Sequence, residues 1–325
     1  MNKVGAVNPY FFVVGCPRSG TTLLRRMLDA HPRFAMMPRE THFIPRIYQR
    51  RAGLTAEGEV TPAVVDELLA DRHFARLGID REALERLLTR EEPTPYASFV
   101  SRIFGMQGRA RGSELVGDET PGYVRHLRTL NALWPETRFV HLIRDGRDVC
   151  LSLPDWRKAP LLTGRFSSWE EDAVSTAALW WEWHVRLGRE DGLSLGRDRY
   201  LELRYESLVS TPERECSAVC HFLGVRYDDA MLGFHHGFEH GEPGRSANGA
   251  WRPVTARLTD WRTQMPAGDI ERFEAAAGEL LDDLSYGRFL PNPSPAATTR
   301  AAGLRERFAR ELAAREQAVP EVFAH

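Results

Sequence analysis

The stretch Phe11-Phe12-Val13-Val14-Gly15-Cys16-Pro17-Arg18-Ser19-Gly20-Thr21-Thr22-Leu23-Leu24 decides the fold. Its apolar start, Phe11 to Val14, is the mark of a strand buried on both faces. Gly15 and Gly20 bound a tight turn, and an amphipathic run follows. Strand, glycine-bounded turn and helix start make the geometry in which backbone N–H groups and a helix N-terminus face an anion. The spacing Gly15-x4-Gly20 nearly reproduces the triphosphate-binding pattern G-x4-G-K-[ST]. Thr21 stands where that pattern has the lysine that reaches the β- and γ-phosphates, which argues against ordinary ATP or GTP chemistry. The cation lies inside the loop instead, at Arg18. The stretch therefore suits a phosphate-containing anion other than a nucleoside triphosphate. Its plain structural alternative is a glycine turn entering a helix.

Working outward, Thr21 to Ala30 is expected to be helical with Leu24, Met27 and Leu28 on one face, and His31-Pro32 stops it. Phe34 to Met37 reads as a second strand, followed by Pro38-Arg39-Glu40-Thr41-His42-Phe43 at its carboxyl end. Residues 51–115 read as a helical insertion, with Val64, Leu68 and Leu69 in one amphipathic stretch and Leu84, Leu87 and Leu88 in another. Gly117-Asp118-Glu119-Thr120-Pro121 reads as a loop. Tyr123, Leu127, Leu130 and Leu133 then recur at helical spacing up to Trp134-Pro135. Phe139 to Ile143 is another buried strand, with Arg144-Asp145-Gly146-Arg147-Asp148 after it and a helix from near Asp148. Ser168 and Glu171 have capping-box spacing ahead of a long helix carrying Trp180, Trp181 and Trp183, which are read as core and wall. Tyr200 to Leu203 is a further strand, ending in Arg204-Tyr205-Glu206. Thr211-Pro212 opens a helix running to Leu223 and closed by Gly224. The segment 233–250, rich in Gly and His, is expected to be a mobile loop. Asp269 to Leu284 is a helix, 291–299 a linker, and 300–318 a helical tail with Leu304, Phe308 and Leu312 along one face.

Strands alternating with helices specify an α/β fold: a P-loop-like three-layer sandwich with a central parallel sheet flanked by helices, plus the helical insertion. In such sheets ligands bind beyond the carboxyl ends of the strands. Arg18, Glu40, Arg144 and Tyr205 all follow strands and should converge on one edge. One domain over 1–290 is expected, with 51–115 as a candidate acceptor cap and 291–325 as linker and tail. The tail could pack on the body or on a second copy of the chain, so a homodimer is open.

The chain has 325 residues, 42% hydrophobic and 27% charged, with a net charge of −2. That is ordinary globular composition with no global electrostatic case for nucleic acid or an anionic membrane, so any anion site must be local. Cys16, Cys150, Cys216 and Cys220 show no zinc-type spacing and read as free buried thiols. No stretch is long and apolar enough to span a membrane, and no signal peptide is apparent. The reading expects a cytoplasmic protein and no metal.

Arg144 and Ser152 lie eight residues apart across a strand-to-helix junction. An arginine fork suits phosphate oxygens, and a hydroxyl one or two turns into the helix can add a donor. With the first loop they imply two anion sites, as for a nucleotide phosphorylated at both ends. At this point the sequence resembles the sulfotransferases that use 3′-phosphoadenosine 5′-phosphosulfate (PAPS), and most closely the tyrosylprotein sulfotransferase-like branch. The resemblance is carried by Pro17-Arg18-Ser19-Gly20-Thr21-Thr22-Leu23 through Met27-Leu28-Asp29-Ala30-His31-Pro32, and by Glu40-Thr41 with Ile44-Pro45-Arg46. It continues in Phe139-Val140-His141-Leu142-Ile143-Arg144-Asp145-Gly146-Arg147, Tyr205-Glu206-Ser207-Leu208, and Leu258-Thr259-Asp260-Trp261.

The resemblance implies that Arg18, Ser19, Gly20, Thr21, Thr22 and Leu23 hold the 5′-phosphosulfate, that Arg144 and Ser152 bind the 3′-phosphate, and that Tyr205 contacts the nucleotide. It implies that Glu40 is the general base for in-line transfer to an acceptor hydroxyl, with Arg18 stabilising charge and 3′,5′-bisphosphoadenosine as the leaving nucleotide. Peptide tyrosine, sugar, lipid and secondary-metabolite hydroxyls are all open as acceptors. The chain also departs from these relatives. Many have lysine before the Thr-Pro or Asp-Pro of the central loop, where this chain has Glu119. A catalytic lysine of the tyrosylprotein enzymes aligns with Arg125, and their serine before Lys-Trp aligns with Thr259 before Asp260-Trp261. The disulfide cysteines of the secretory relatives have no counterpart, which fits a reducing compartment. His42 competes with Glu40 as base, since imidazole suits neutral pH. A P-loop small-molecule kinase, which would want lysine at position 21, and a non-catalytic nucleotide-binding protein are the alternative functions.

Overall fold

The structure is a computed structural model that describes residues 8–88, 93–153, 166–236, 254 and 259–317. Five strands form one parallel sheet: β1 (Phe11–Val14), β2 (Phe34–Met36), β3 (Leu115–Glu119), β4 (Arg138–Ile143) and β5 (Tyr200–Arg204), in the order β2-β3-β1-β4-β5. The α/β sandwich expected from the alternating pattern is present. The decisive strand lies at its centre, pairing Val13 with Glu119 on one side and with Val140 on the other.

β3 corrects the reading of Gly117 to Pro121 as a loop. Its sequence, Leu-Val-Gly-Asp-Glu, lacks the apolar run that marks a buried strand, yet all five residues are buried. The strand earns its place by register. Gly117 sits under the Phe11 ring, and Phe12 pairs with Asp118. In-register partners of a parallel pair share a face, so Glu119 lies on the face of Val13 and Asp118 on that of Phe12. Two carboxyl groups are thereby carried into the interior at the sheet's carboxyl edge.

Phe11 and Val13 pack with Leu24, Met27, Leu28, Cys216, Val219 and Cys220, so the helices Thr21–Asp29 and Pro212–Phe222 cover one face. Phe12 and Val14 pack with Phe99, Val100, Ile103, Phe104, Leu127 and Leu130, which places the helices Tyr96–Arg111 and Leu127–Leu133 on the other. The segment 51–115 is mainly helical, as expected, but it is not wholly an insertion. Its last helix, Tyr96–Arg111, is the crossover that returns the chain to β3, while Ala63–Ala70 and Arg81–Leu87 extend beyond it.

A third apolar cluster joins Trp180 and Trp181 to Phe273, Leu280, Leu304 and Phe308. The tryptophans are core, as read. The long helix spans Ala173–Ser194 and is capped by Asp172, which accepts from the Ser175 amide at 3.0 Å, rather than by Ser168. Ser168 instead accepts from the Thr176 hydroxyl at 2.8 Å. The final helix begins at Pro295, inside the expected linker, and lays Leu304 and Phe308 on the body. Proline suits a first helical turn, where its missing N–H is no loss. The expected helix from Tyr123 to Leu133 is broken into a short 3₁₀ turn, Pro121–Arg125, and the helix Leu127–Leu133. The expected loop 233–250 lies outside the described residues beyond 236. All four cysteines are buried free thiols.

Candidate active site

The loop after β1 is built from its backbone. The Gly15 amide donates to the Pro121 carbonyl at 3.1 Å, and the Ser19 amide donates to the Cys16 carbonyl at 3.1 Å. Gly20 then starts the helix Thr21–Asp29 at φ 94°, a conformation costly for any residue with a Cβ. A Cβ there would stand 2.5 Å from the Tyr205 ring. Arg18 adopts φ 78° without being glycine, and strain of that kind in an ordered loop is concentrated at functional sites. The Leu23 and Leu24 amides already donate to the Gly20 carbonyl, at 2.9 and 3.4 Å, so the Thr21 and Thr22 amides are the ones the helix start can offer an anion.

Arg144, which follows β4, ties this loop to two other elements. Its Nη1 donates to the Arg18 carbonyl at 3.3 Å, its Nη2 donates to the Thr259 hydroxyl, and its guanidinium lies 4.2 Å over the Tyr205 ring. Of the four residues expected to converge, these contacts bring together Arg18, through its carbonyl, Arg144 and Tyr205, and Thr259 joins them; Glu40 is not among them. Asp148 Oδ2 stands 4.0 Å from Arg144 Nη2. Burial pushes the Asp148 carboxyl up to about 6, against the pull of Arg144. Its Oδ1 accepts from the Trp261 amide at 2.9 Å, which anchors the chain next to Thr259.

A buried network holds this corner in place. Arg147 is fully buried and grips Asp145 through Nε at 3.0 Å and Nη2 at 2.8 Å. Its Nη1 donates to Glu274 at 2.6 Å, and its guanidinium stacks 3.6 Å over Trp261. Asp145 caps the helix Gly146–Ser152, two residues earlier than expected. The Asp145 amide donates to Glu206 at 2.8 Å, and the Trp181 indole donates to the Arg144 carbonyl at 3.1 Å. A Cβ on Gly146 would meet Trp181 at 2.4 Å, so only glycine allows that approach. Sequence reasoning missed the anchoring roles of Arg147 and Glu206, because Arg147 reaches Glu274 across 127 residues and Glu206 reaches Asp145 across 61.

Glu40 lies beyond β2, where expected. Its Oε2 is 2.5 Å from His42 Nε2, so the two candidate bases form one hydrogen-bonded pair. His42 holds φ 45°, and its ring stands 4.3 Å from that of His73. Two further carboxyls lie in the field of Glu40. Burial, with repulsion from Glu40 second, pushes Glu119 up to about 8. Burial pushes Asp118 up to about 7, and the neighbouring hydroxyls of Thr120 and Thr41 offset this only in part.

Two expected site residues are engaged in other ways. The Ser152 hydroxyl turns back and donates to the Val149 carbonyl at 2.8 Å, so serving a ligand means giving up or sharing that bond. The Arg125 guanidinium lies 4.9 Å over the Trp183 ring, and its charge reaches Cys16 in the loop. Thr22 and Leu23 lie in the first helical turn beside Thr21.

Around Arg144 and the loop, the buried donors Arg144 Nε, Ser19 Oγ and Trp261 Nε1 have no partner among the described residues. Unmet buried donors are rare in folded proteins. Together with the Gly20 cradle and the Arg144 fork they fit an extended polyanion. Among the described residues no group of histidine, cysteine or carboxylate side chains has the form of a metal site, and no helix is long and apolar enough to cross a membrane.

A parallel sheet with a glycine-bounded loop after its central strand and a second cation after the neighbouring strand has the form of an anion-binding edge. The comparisons give the protein's class. The sequence pattern of the sulfotransferase family matches residues 9–229, and the chain belongs to that family, whose members transfer sulfate. It is 26% identical over 295 residues to protein-tyrosine sulfotransferase 2 of Gallus gallus, covering 88% of this chain and 71% of that one. It is 28% identical over 295 residues to the protein-tyrosine sulfotransferase of Drosophila melanogaster, covering 88% of this chain and 53% of that one, so it spans about half the length of that relative. The sulfotransferase domain from the curacin biosynthetic pathway shares the fold, with a TM-score of 0.52 at 21% identity, covering 90% of this chain and 96% of that one. Membership disposes of the kinase alternative.

Proposed function

We propose that this chain moves the sulfuryl group of PAPS onto an acceptor hydroxyl. The observation that best supports PAPS is Arg144 bonded to both the Arg18 carbonyl and Thr259. It brings the cation after β4 to the loop after β1, which suits a nucleotide carrying anions at both ends. PAPS supplies an activated sulfuryl group with 3′,5′-bisphosphoadenosine as its leaving group. In this reading Arg18, Ser19, Gly20, Thr21, Thr22 and Leu23 cradle the 5′ end, and Arg144 and Ser152 take the 3′-phosphate. Tyr205 packs beside the nucleotide, and Thr259 orients Arg144.

Glu40 removes the acceptor's proton, a role worth ~10²- to 10⁴-fold in rate. Arg18 offsets charge building on the transferring oxygens, since preorganised donors act where charge develops. Arg125 adds positive field behind the loop, and no metal takes part. The helices Ala63–Ala70 and Arg81–Leu87 form the acceptor-facing cap. Protein-tyrosine sulfotransferases are among the relatives matched over most of the chain, so peptide tyrosine is the first acceptor to assay, with sugar, lipid and secondary-metabolite hydroxyls beside it.

The test has two arms. Thermal shift should show selective stabilisation by 3′,5′-bisphosphoadenosine over ATP and GTP, and its absence overturns the nucleotide assignment. Incubation with labelled PAPS and the acceptor panel should then label one class. Selective binding without transfer to any acceptor would favour the non-catalytic alternative.

A further inference from the structure

Glu119 is a buried carboxyl group beside a loop suited to an anion. It ends β3, pairs with Val13 one residue before that strand's end, and shares the face of the helix Thr21–Asp29. It is 4% exposed, and its Oε1 has no hydrogen-bond partner among the described residues. The groups that act on it are few. The Thr21 hydroxyl stands against its carboxyl, and Arg25 supplies the opposing positive charge from the helix. Glu40 from beyond β2 and Asp118 from its own strand both repel it. Arg25 is already committed, its Nη2 donating to the carbonyls of Met37 at 3.1 Å and Pro38 at 3.0 Å.

An ionised Glu119 would face burial, two carboxyls and, in the proposed complex, a polyanion as well. Each of these disfavours the charged form. A neutral carboxyl has what the carboxylate lacks, one O–H donor. Hydrogen bonds from O–H to an anionic oxygen are short and strong, and a carboxylic acid held neutral by its surroundings can serve as such a donor.

We propose that Glu119 works as a protonated acid and donates a hydrogen bond to the 5′ end of the bound nucleotide, resting on the assignment of residues 18–23 to that end. Thr21 accepts or donates alongside it, and Glu40, paired with His42, keeps the role of carboxylate. No proton is transferred to the nucleotide; the carboxyl keeps it as long as the ligand is bound. Binding and protonation are then linked, and the nucleotide's affinity must fall as Glu119 ionises. Burial pushes that ionisation up to about 8 in the free protein, so the fall belongs to the alkaline side.

The test is calorimetric titration of 3′,5′-bisphosphoadenosine into the wild-type chain and Glu119→Gln from about pH 6 to pH 9. With ionisation centred near 8, wild-type affinity should drop about tenfold between pH 7 and pH 9, as linkage of one proton requires. Glu119→Gln keeps an N–H donor and cannot ionise, so its affinity should stay level over that range. Infrared difference spectra should show a protonated-carboxyl band in the wild type near neutral pH that is lost on raising the pH, missing in Glu119→Gln, and shifted by the nucleotide. Coincident pH profiles for the two proteins, or no such band, would overturn the role given to Glu119. Failure of the wild type to bind the bisphosphate at any pH would instead overturn the assignment of the loop, a different result from binding that ignores Glu119.

Discussion

His42 Nε2 lies 2.5 Å from Glu40 Oε2, and His42 holds a left-handed backbone to reach it. Nitrogen and oxygen at this separation are hydrogen-bonded, so the imidazole fixes one carboxylate oxygen of Glu40. We propose that His42 positions Glu40 as the base rather than replacing it. His42→Ala should lower kcat about tenfold to a hundredfold, the worth of one hydrogen bond to a charged group, with KM for PAPS unchanged. His42→Gln, which restores an N–H at similar reach, should recover most of that loss. Both variants carry the same backbone cost, so their comparison isolates the bond. Equal kcat for the alanine variant and the wild type would refute the idea.

Arg144 should matter only to a ligand with an anion at its 3′ position. Arg144→Lys keeps the charge but loses the fork. It should weaken 3′,5′-bisphosphoadenosine about tenfold to a hundredfold, as one or two charge-assisted bonds would (about 1.5–3 kcal/mol). Adenosine 5′-phosphate, which lacks the 3′ group, should lose far less in the same titration. Equal losses for the two nucleotides would count against Arg144 as the 3′-phosphate residue.

Gly20→Ala combines φ 94° with a Cβ placed 2.5 Å from the Tyr205 ring. The backbone cost alone is about 1–3 kcal/mol, and moving the ring also displaces the partner of Arg144. Thermal melts should show a clear destabilisation, and bisphosphate binding should fall below detection. Tyr205→Ala added to Gly20→Ala should regain stability without regaining binding. A Gly20→Ala protein that binds normally would mean the loop tolerates what its geometry forbids.

Asp118 makes stability depend on pH. Its carboxyl is raised from 3.8 to about 7 by burial, so the folded state keeps a proton that the unfolded state releases above about pH 4. Wherever the folded state binds more protons, stability falls as pH rises. The penalty is absent below about pH 4, grows up to about pH 7 and is complete above. Asp118→Asn escapes it, so its melting temperature should gain on the wild type across this window, and the gap should level off beyond. A gap that does not change with pH would show that Asp118 stays ionised in the fold.

Arg147 is the cation between Asp145 and Glu274. Removing one partner of a buried ionic network leaves charge unmatched, at about 3–5 kcal/mol. Arg147→Met should therefore melt far lower than the wild type. Adding Glu274→Gln should return part of the loss, and a double-mutant cycle measures how much. Strict additivity of the two changes would mean the pair is not coupled.

Much of this was legible from residue order. The apolar run Phe11 to Val14, the glycine spacing and the polar residues after successive strands gave the sheet, its direction and the edge where Arg18, Arg144 and Tyr205 meet. β3 was not legible, because a strand buried inside a sheet announces itself by apolar residues and this one ends in Asp118 and Glu119. Its burial follows from pairing with β1 and β2, which no local pattern records. The Asp145–Arg147–Glu274 network escaped for a related reason: Arg147 and Glu274 are 127 residues apart. Asp172 displaced Ser168 as a cap because Ser168 is buried and already hydrogen-bonded to Thr176.

The strand order has a consequence for how such an enzyme can diversify. β1, β4 and β5 lead into most of the residues proposed to hold the nucleotide, while β2 and β3, at one side of the sheet, lead to Glu40 and carry Asp118 and Glu119, of which only Glu119 is proposed to touch the nucleotide. The chain between β2 and β3 also contains the helices Ala63–Ala70 and Arg81–Leu87. Substitution or lengthening within that inserted segment can reshape what approaches Glu40 while leaving Glu119 and the loop after β1 in place. Transplanting residues 51–95 between homologues is thus the economical route to an altered acceptor preference, and the seam for such a graft falls before the helix Tyr96–Arg111, whose apolar face belongs to the shared core.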